Sequence, residues 1–99
     1  MTSPKRPTRP NPGSGQGSYS QVAHDQLDAL QKSDPGLHDD ILTVCELIFA
    51  NPARAQSMSA AIRTDQGIVL RLAVPGRHPY KVFWTTETPR VEAVFPHPG

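Results

Sequence analysis

Near residue 58 the spacing of apolar residues changes from a helical period to a strand period, and it does not change back. Before that point Leu37, Ile41, Val44, Cys45 and Ile48 form a helical stripe, widened by Leu42 and Phe49. Ala23, Leu27 and Leu30 form a narrower one. After it, Ile68, Leu70, Leu72 and Val74 alternate against Val69, Arg71 and Ala73. Tyr80, Val82 and Trp84 alternate against Lys81, Phe83 and Thr85, and Val91, Ala93 and Phe95 follow. Helices first and strands afterwards predict an α+β domain, since a parallel α/β sheet would need the two to alternate. Short turns between the strands predict an antiparallel meander. The expected architecture is an N-terminal helical hairpin packed on one face of a small twisted antiparallel sheet of three to four strands.

Local signals place the boundaries. Ser20 suits the N-cap of a helix over 21–33. Asp34 followed by Pro35 restarts a helix, because aspartate caps and proline fits the first helical position. Asp39 and Asp40 near that start suit the helix dipole. The helix is expected to end at Asn51, because the residue before Pro52 is pushed out of the helical region. Residues 1–18 contain Met1 as their sole non-proline apolar side chain. They have too little area to bury to offset the entropy of ordering, so they read as a disordered basic tail. Residues 19–99 form the domain.

The chain has 99 residues, of which 36% are apolar, enough for one small core. A multidomain enzyme or a full dinucleotide-binding fold is excluded by length. No apolar run is long enough to span a membrane, and no apolar stretch follows Lys5, Arg6 and Arg9 to make a secretory signal. Cys45 is the one cysteine and faces the presumed core, so a reducing, cytoplasmic location is expected and no membrane partner. Charge is uneven along the chain: residues 19–52 carry six acids against Lys32, and residues 53–99 carry six bases against three acids. This distribution suits a basic surface that meets a polyanion, and it equally suits ordinary scatter.

Few residues offer chemistry. The four histidines and Cys45 lack metal-site spacing, and no phosphate loop is present, so neither cofactor nor metal is expected. The remaining signal is basic. If Leu70 and Leu72 face the helices, Arg71 emerges on the open face, and Lys81 shares its parity on the next strand. Arg77 and His78 fall in the turn between them, and His97 follows the last strand. Such a face can bind phosphate and stabilise negative charge. It can also simply keep an open sheet in solution.

Several segments together resemble the RelE/ParE toxin superfamily. They are Ala50-Asn51-Pro52-Ala53-Arg54-Ala55, Met58, Gly67-Ile68-Val69-Leu70-Arg71-Leu72, Pro79-Tyr80-Lys81-Val82-Phe83-Trp84 and Val91-Glu92-Ala93-Val94-Phe95-Pro96-His97. The first helix, Ala23 to Leu30, is similar too, and the likeness covers residues 19–98. It implies a toxin-type protein acting on the ribosome or RNA, or a non-catalytic derivative that binds a protein or the ribosome. An active member would be a metal-independent, ribosome-dependent mRNA endoribonuclease in which a 2′-hydroxyl attacks the adjacent phosphate. An antitoxin, the ribosome or mRNA would then be the partner. By position, Lys81 would stabilise the transition state, Arg71 would contact phosphate, and His97 would carry a proton. Arg77, His78, Arg63 and Arg54 complete the set of candidates for binding RNA. Within the likeness Val69 stands where a second lysine is usual, Pro98 where an arginine closes the chain, and Lys81 replaces an arginine. The alternative is an α+β protein-interaction domain of another kind, with no nuclease activity.

Overall fold

A computed structural model describes residues 18–98, and the expected tail lies outside them except for Ser18. Three helices follow one another, each opened by a side-chain cap. The Ser20 hydroxyl accepts the Ala23 N–H at 3.1 Å and opens α1, Gln21–Ser33. Asp34 accepts the Leu37 N–H at 3.2 Å and opens α2, Pro35–Ala50. Asn51 accepts the Arg54 N–H at 3.2 Å and opens α3, Pro52–Ser57. The sequence reading stopped at Asn51. The same Asn–Pro pair that ends one helix also caps the next, because proline fits the first helical turn.

Five strands form one sheet in the order β1-β5-β4-β3-β2. Here β1 is Ser18–Tyr19, β2 Ala60–Thr64, β3 Gly67–Ala73, β4 Tyr80–Thr85 and β5 Arg90–Pro96. β2 to β5 form the expected antiparallel meander. β1 is the addition, running parallel to β5 with Ser18 opposite Arg90 and Tyr19 opposite Val91. Two residues show no period, so the strand exists through tertiary bonds such as Ser20 N–H to Val91 O at 2.9 Å. The expected three to four antiparallel strands are thus five in a mixed sheet, within the α+β class.

The helices cover one face. Leu70, Leu72, Val74, Val82 and Trp84 pack with Ala23, Leu27, Ile41, Val44, Cys45 and Ile48, all buried. Trp84 is fully enclosed, and its indole N–H donates to the Ser59 hydroxyl at 3.1 Å. Ser59 in turn donates to the Ala55 carbonyl, which ties α3 to the sheet. Ile68 has the inward parity of Leu70 but is 56% exposed, because it extends past the helices.

β5 departs from simple alternation. Trp84 faces Val91 while Phe83 faces Ala93, so Glu92 is an extra residue opposite no partner. Past it the parity inverts: Val91 and Val94 are buried on the helical side, and Ala93 and Phe95 fall on the open face. α1 satisfies the irregular backbone, with the Ser20 hydroxyl donating to Glu92 O and Gln26 Oε1 accepting the Val94 N–H at 2.7 Å.

Leu72 is 3% exposed in the middle of this interface. Leu72→Ala should lower unfolding free energy by about 2–5 kcal/mol in a denaturant titration, from lost burial plus the cavity left behind. A loss below about 0.5 kcal/mol would contradict the inward placement of this side chain.

Candidate phosphate-binding face

Arg71, Lys81 and His97 do converge. The register places Arg71 beside Phe83, and Lys81 between Ala73 and Phe95, all on the face without helices. Beyond β5 the His97 N–H donates to Pro79 O at 2.9 Å, which continues the β4–β5 pairing one residue past Tyr80–Pro96 and keeps His97 on this face. There His97 Nδ1 lies 3.4 Å from Arg71 Nη1, across two strands. Phe83 and Phe95 stack beneath it with ring centroids 4.5 Å apart and planes 11° apart. The His97 ring stands edge-on to Phe83 at 5.5 Å. Phe83 is 8% exposed although no helix covers it. The open face thus carries a small second cluster of its own.

Lys81 has a different task from the one its parity suggests. It is 8% exposed, and its ammonium donates to Pro79 O at 3.2 Å and His97 O at 3.0 Å. The alkyl stem is buried while the head ties Pro79 to His97. Two of its three hydrogens are directed at main-chain carbonyls. Arg71 and His97 are half-buried and nearer the surface.

The other basic candidates lie elsewhere. Arg77 Nε donates to Asp40 Oδ2 at 2.6 Å, so it pins the β3–β4 turn to the first half of α2. Asp40 holds Arg77 more firmly in its charged form. A Cβ placed at Gly36 would stand 3.2 Å from a guanidinium nitrogen of Arg77, so a larger residue there would need the Arg77 tip to shift by a few tenths of an ångström. His78 is exposed in the same turn. Arg63 pairs with Ile68 and therefore emerges on the helical side of the sheet, opposite to Arg71. Arg54 is exposed on α3. The sequence reading missed Phe83 and Phe95. Phe83 has the parity of Lys81 and was legible, whereas Phe95 reaches this face through the Glu92 irregularity alone.

A separate concavity of about 950 Å³ opens between the tips of the two hairpins, lined by Asp65, Glu87, Arg90 and Glu92 among others. Its acids outnumber its bases, and it does not include Arg71, Lys81 or His97. An anion is disfavoured there. Among the described residues no group of three His, Cys, Asp or Glu side chains is placed to hold a metal ion. Cys45 is fully buried, and burial pushes its thiol up to about 12. The same burial, together with Cys45, raises the Tyr19 hydroxyl. A thiol held neutral in this way is no nucleophile.

Among the described residues no helix is long and apolar enough to cross a membrane. Known protein-family models, curated proteins and solved structures give no match to this chain.

Two outcomes follow from the geometry. Lys81→Met keeps the stem but leaves the Pro79 and His97 carbonyls without their donor. It should cost about 1–3 kcal/mol in denaturant unfolding, where a purely surface lysine would cost almost nothing. Cys45 should resist a thiol reagent at pH 8 in the folded protein and react only as the chain unfolds. Because the folded thiol titrates near 12 against 9.0 for the free group, this group's stabilising contribution is full below about pH 9. It should decline as pH rises from there through about 12, which urea titrations across that range will read.

Proposed function

We propose that this chain is a RelE/ParE-like binding module without nuclease activity, whose open sheet face takes single-stranded RNA. The observation that carries the reading is the Arg71–His97 pair standing over the stacked Phe83 and Phe95 rings. A guanidinium and an imidazole side by side suit one phosphate, since arginine offers two parallel N–H donors to its oxygens. The outer side of Phe95, half-buried at the edge of the same cluster, suits a base by stacking. Single strands expose base faces that a duplex hides, so this arrangement favours them.

Lys81 supports the non-catalytic side of the proposal. The resemblance assigns it to transition-state stabilisation, yet its ammonium is buried and bonded to two main-chain carbonyls. Stabilising charge that grows on phosphate requires a donor aimed at that charge. What remains is a guanidinium and an imidazole beside an aromatic surface, which is a binding arrangement.

Fluorescence anisotropy with a short single-stranded RNA tests this. Arg71→Ala should weaken binding roughly tenfold and lower the salt slope by about 1. Phe95→Ala should weaken it by about 1–3 kcal/mol with little change in slope, because stacking is not ionic. No binding at low salt, or binding that both variants leave intact, would remove the proposal. In a cell-free translation reaction the messenger should stay intact. Cleavage that disappears in His97→Ala would restore the endoribonuclease reading.

A further inference from the structure

The two edges of the sheet are treated differently. On the β5 side the outer positions are occupied: β1 takes Arg90 and Val91, the Ser20 hydroxyl takes Glu92 O, and Gln26 takes the Val94 N–H. On the other side β2 is the last strand, and all five of its residues are exposed or half-exposed. It is paired with β3 over its whole length, from Ala60 opposite Arg71 to Thr64 opposite Gly67, with no irregularity. Edge strands are usually blunted by proline, a bulge, several charges or a covering element. β2 has one charge, Arg63, and among the described residues none of the others.

The hydrogen-bond phase shows which groups are free. The Val74 N–H donates to Tyr80 O at 3.2 Å, in register with the Leu72–Val82 and Leu70–Trp84 pairs. In an antiparallel ladder alternate residues bond to opposite neighbours. Leu70, Leu72 and Val74 therefore bond toward β4, and Gly67, Val69 and Arg71 bond toward β2. Their partners Thr64, Ile62 and Ala60 turn their backbone groups inward. The N–H and C=O of Ala61 and Arg63 point outward, and among the described residues nothing meets them.

We propose that β2 pairs antiparallel with β2 of a second copy of this chain, about a two-fold axis through Ile62. The phase fits that axis. Ala61 lies opposite Arg63 of the second copy and exchanges two hydrogen bonds with it, and the symmetric pair makes two more. Ile62 meets Ile62 of the second copy at a non-hydrogen-bonded position, where side chains come closest. On the open face this joins Val69, Ile62 and their two mates into one row of four β-branched side chains. On the helical side Arg63 lies opposite a small alanine, so the two like charges are not placed face to face. Exposed Ile68, beside Arg63, lines the arginine stem in the same row. A shift of register by one residue would bring outward groups against inward ones and lose the bonds. Within Ala60 to Thr64 the axis through Ile62 gives two doubly bonded pairs and sets no like charges face to face, whereas an axis through Ala61 or Arg63 gives one such pair. This inference does not rest on the RNA reading.

Sedimentation equilibrium should show mass rising toward twice 10.8 kDa as concentration reaches the high micromolar range. Ala61→Pro removes an outward N–H that β3 does not use, so the monomer fold survives while the dimer is lost. Ile62→Cys should cross-link to a covalent dimer under a mild oxidant such as diamide, and Arg63→Cys should not. Buried Cys45 does not compete for the oxidant. A wild-type chain that stays monomeric at every concentration overturns the proposal, as does a dimer that persists in a folded Ala61→Pro variant. If Ala61→Pro fails to fold, the cross-link decides: a folded Ile62→Cys variant that gives no covalent dimer overturns it.

Discussion

The open face of this protein depends on one extra residue in β5 and on the α1 side chains that hold it. Glu92 has no partner in β4, and the strand continues past it with inverted parity. Left alone, such a break would expose backbone groups at the edge beside the core. Ser20 and Gln26 take the Glu92 carbonyl and the Val94 N–H, so the break is bonded on its outer side. Ser20 has two tasks at once, since its hydroxyl oxygen also caps α1. The start of the first helix and the shape of the last strand are therefore set by the same atom. A Ser20→Ala change would leave both without a partner.

From that inversion the remaining arrangement follows. Val91 stays beneath Trp84 and Val94 beside Val82, which keeps the helical side closed. Phe95 moves to the other side and stacks on Phe83. His97, still paired with Pro79 beyond β5, reaches Arg71 on that side, and Lys81 ties the two segments by hydrogen bonds to the Pro79 and His97 carbonyls. A lysine buried in this way has little freedom to approach a ligand. The face gains rigidity there and gives up a cation that a catalyst would want. The proposed binding role, without cleavage, rests on this exchange.

The sheet is also asymmetric in how it treats its edges. One is closed by side chains that come from far away in sequence, 72 positions apart for Ser20 and Glu92. The other is left as a regular strand of small and β-branched residues with a single charge. An open edge of this kind promotes pairing unless something opposes it. A two-fold partner would use the free groups of Ala61 and Arg63 and leave the proposed RNA-binding face of each copy uncovered.

Much of this was legible in the chain. The helical stripes, the caps at Ser20 and Asp34, the alternation in β3 and β4, and hence the shared face of Arg71 and Lys81, all arise from local periodicity and local hydrogen bonding. Those signals act within a few residues, so the sequence by itself determines them. The added α3 was half-visible, because Asn51 and Pro52 carry both a stop and a start. Other features were decided by contacts between distant segments. β1 is too short to show a period and forms only because β5 offers carbonyls to it. Ile68 repeats the core pattern but lies beyond the reach of the helices. Arg77 read in sequence as a candidate for binding RNA, and Asp40, 37 positions away, pairs with it. Lys81 reads as an exposed cation and becomes a buried clamp, because the Pro79 and His97 carbonyls take its ammonium. Periodicity determines which side of the sheet a residue takes; only tertiary packing decides what covers that side, and with it which charges stay free to bind.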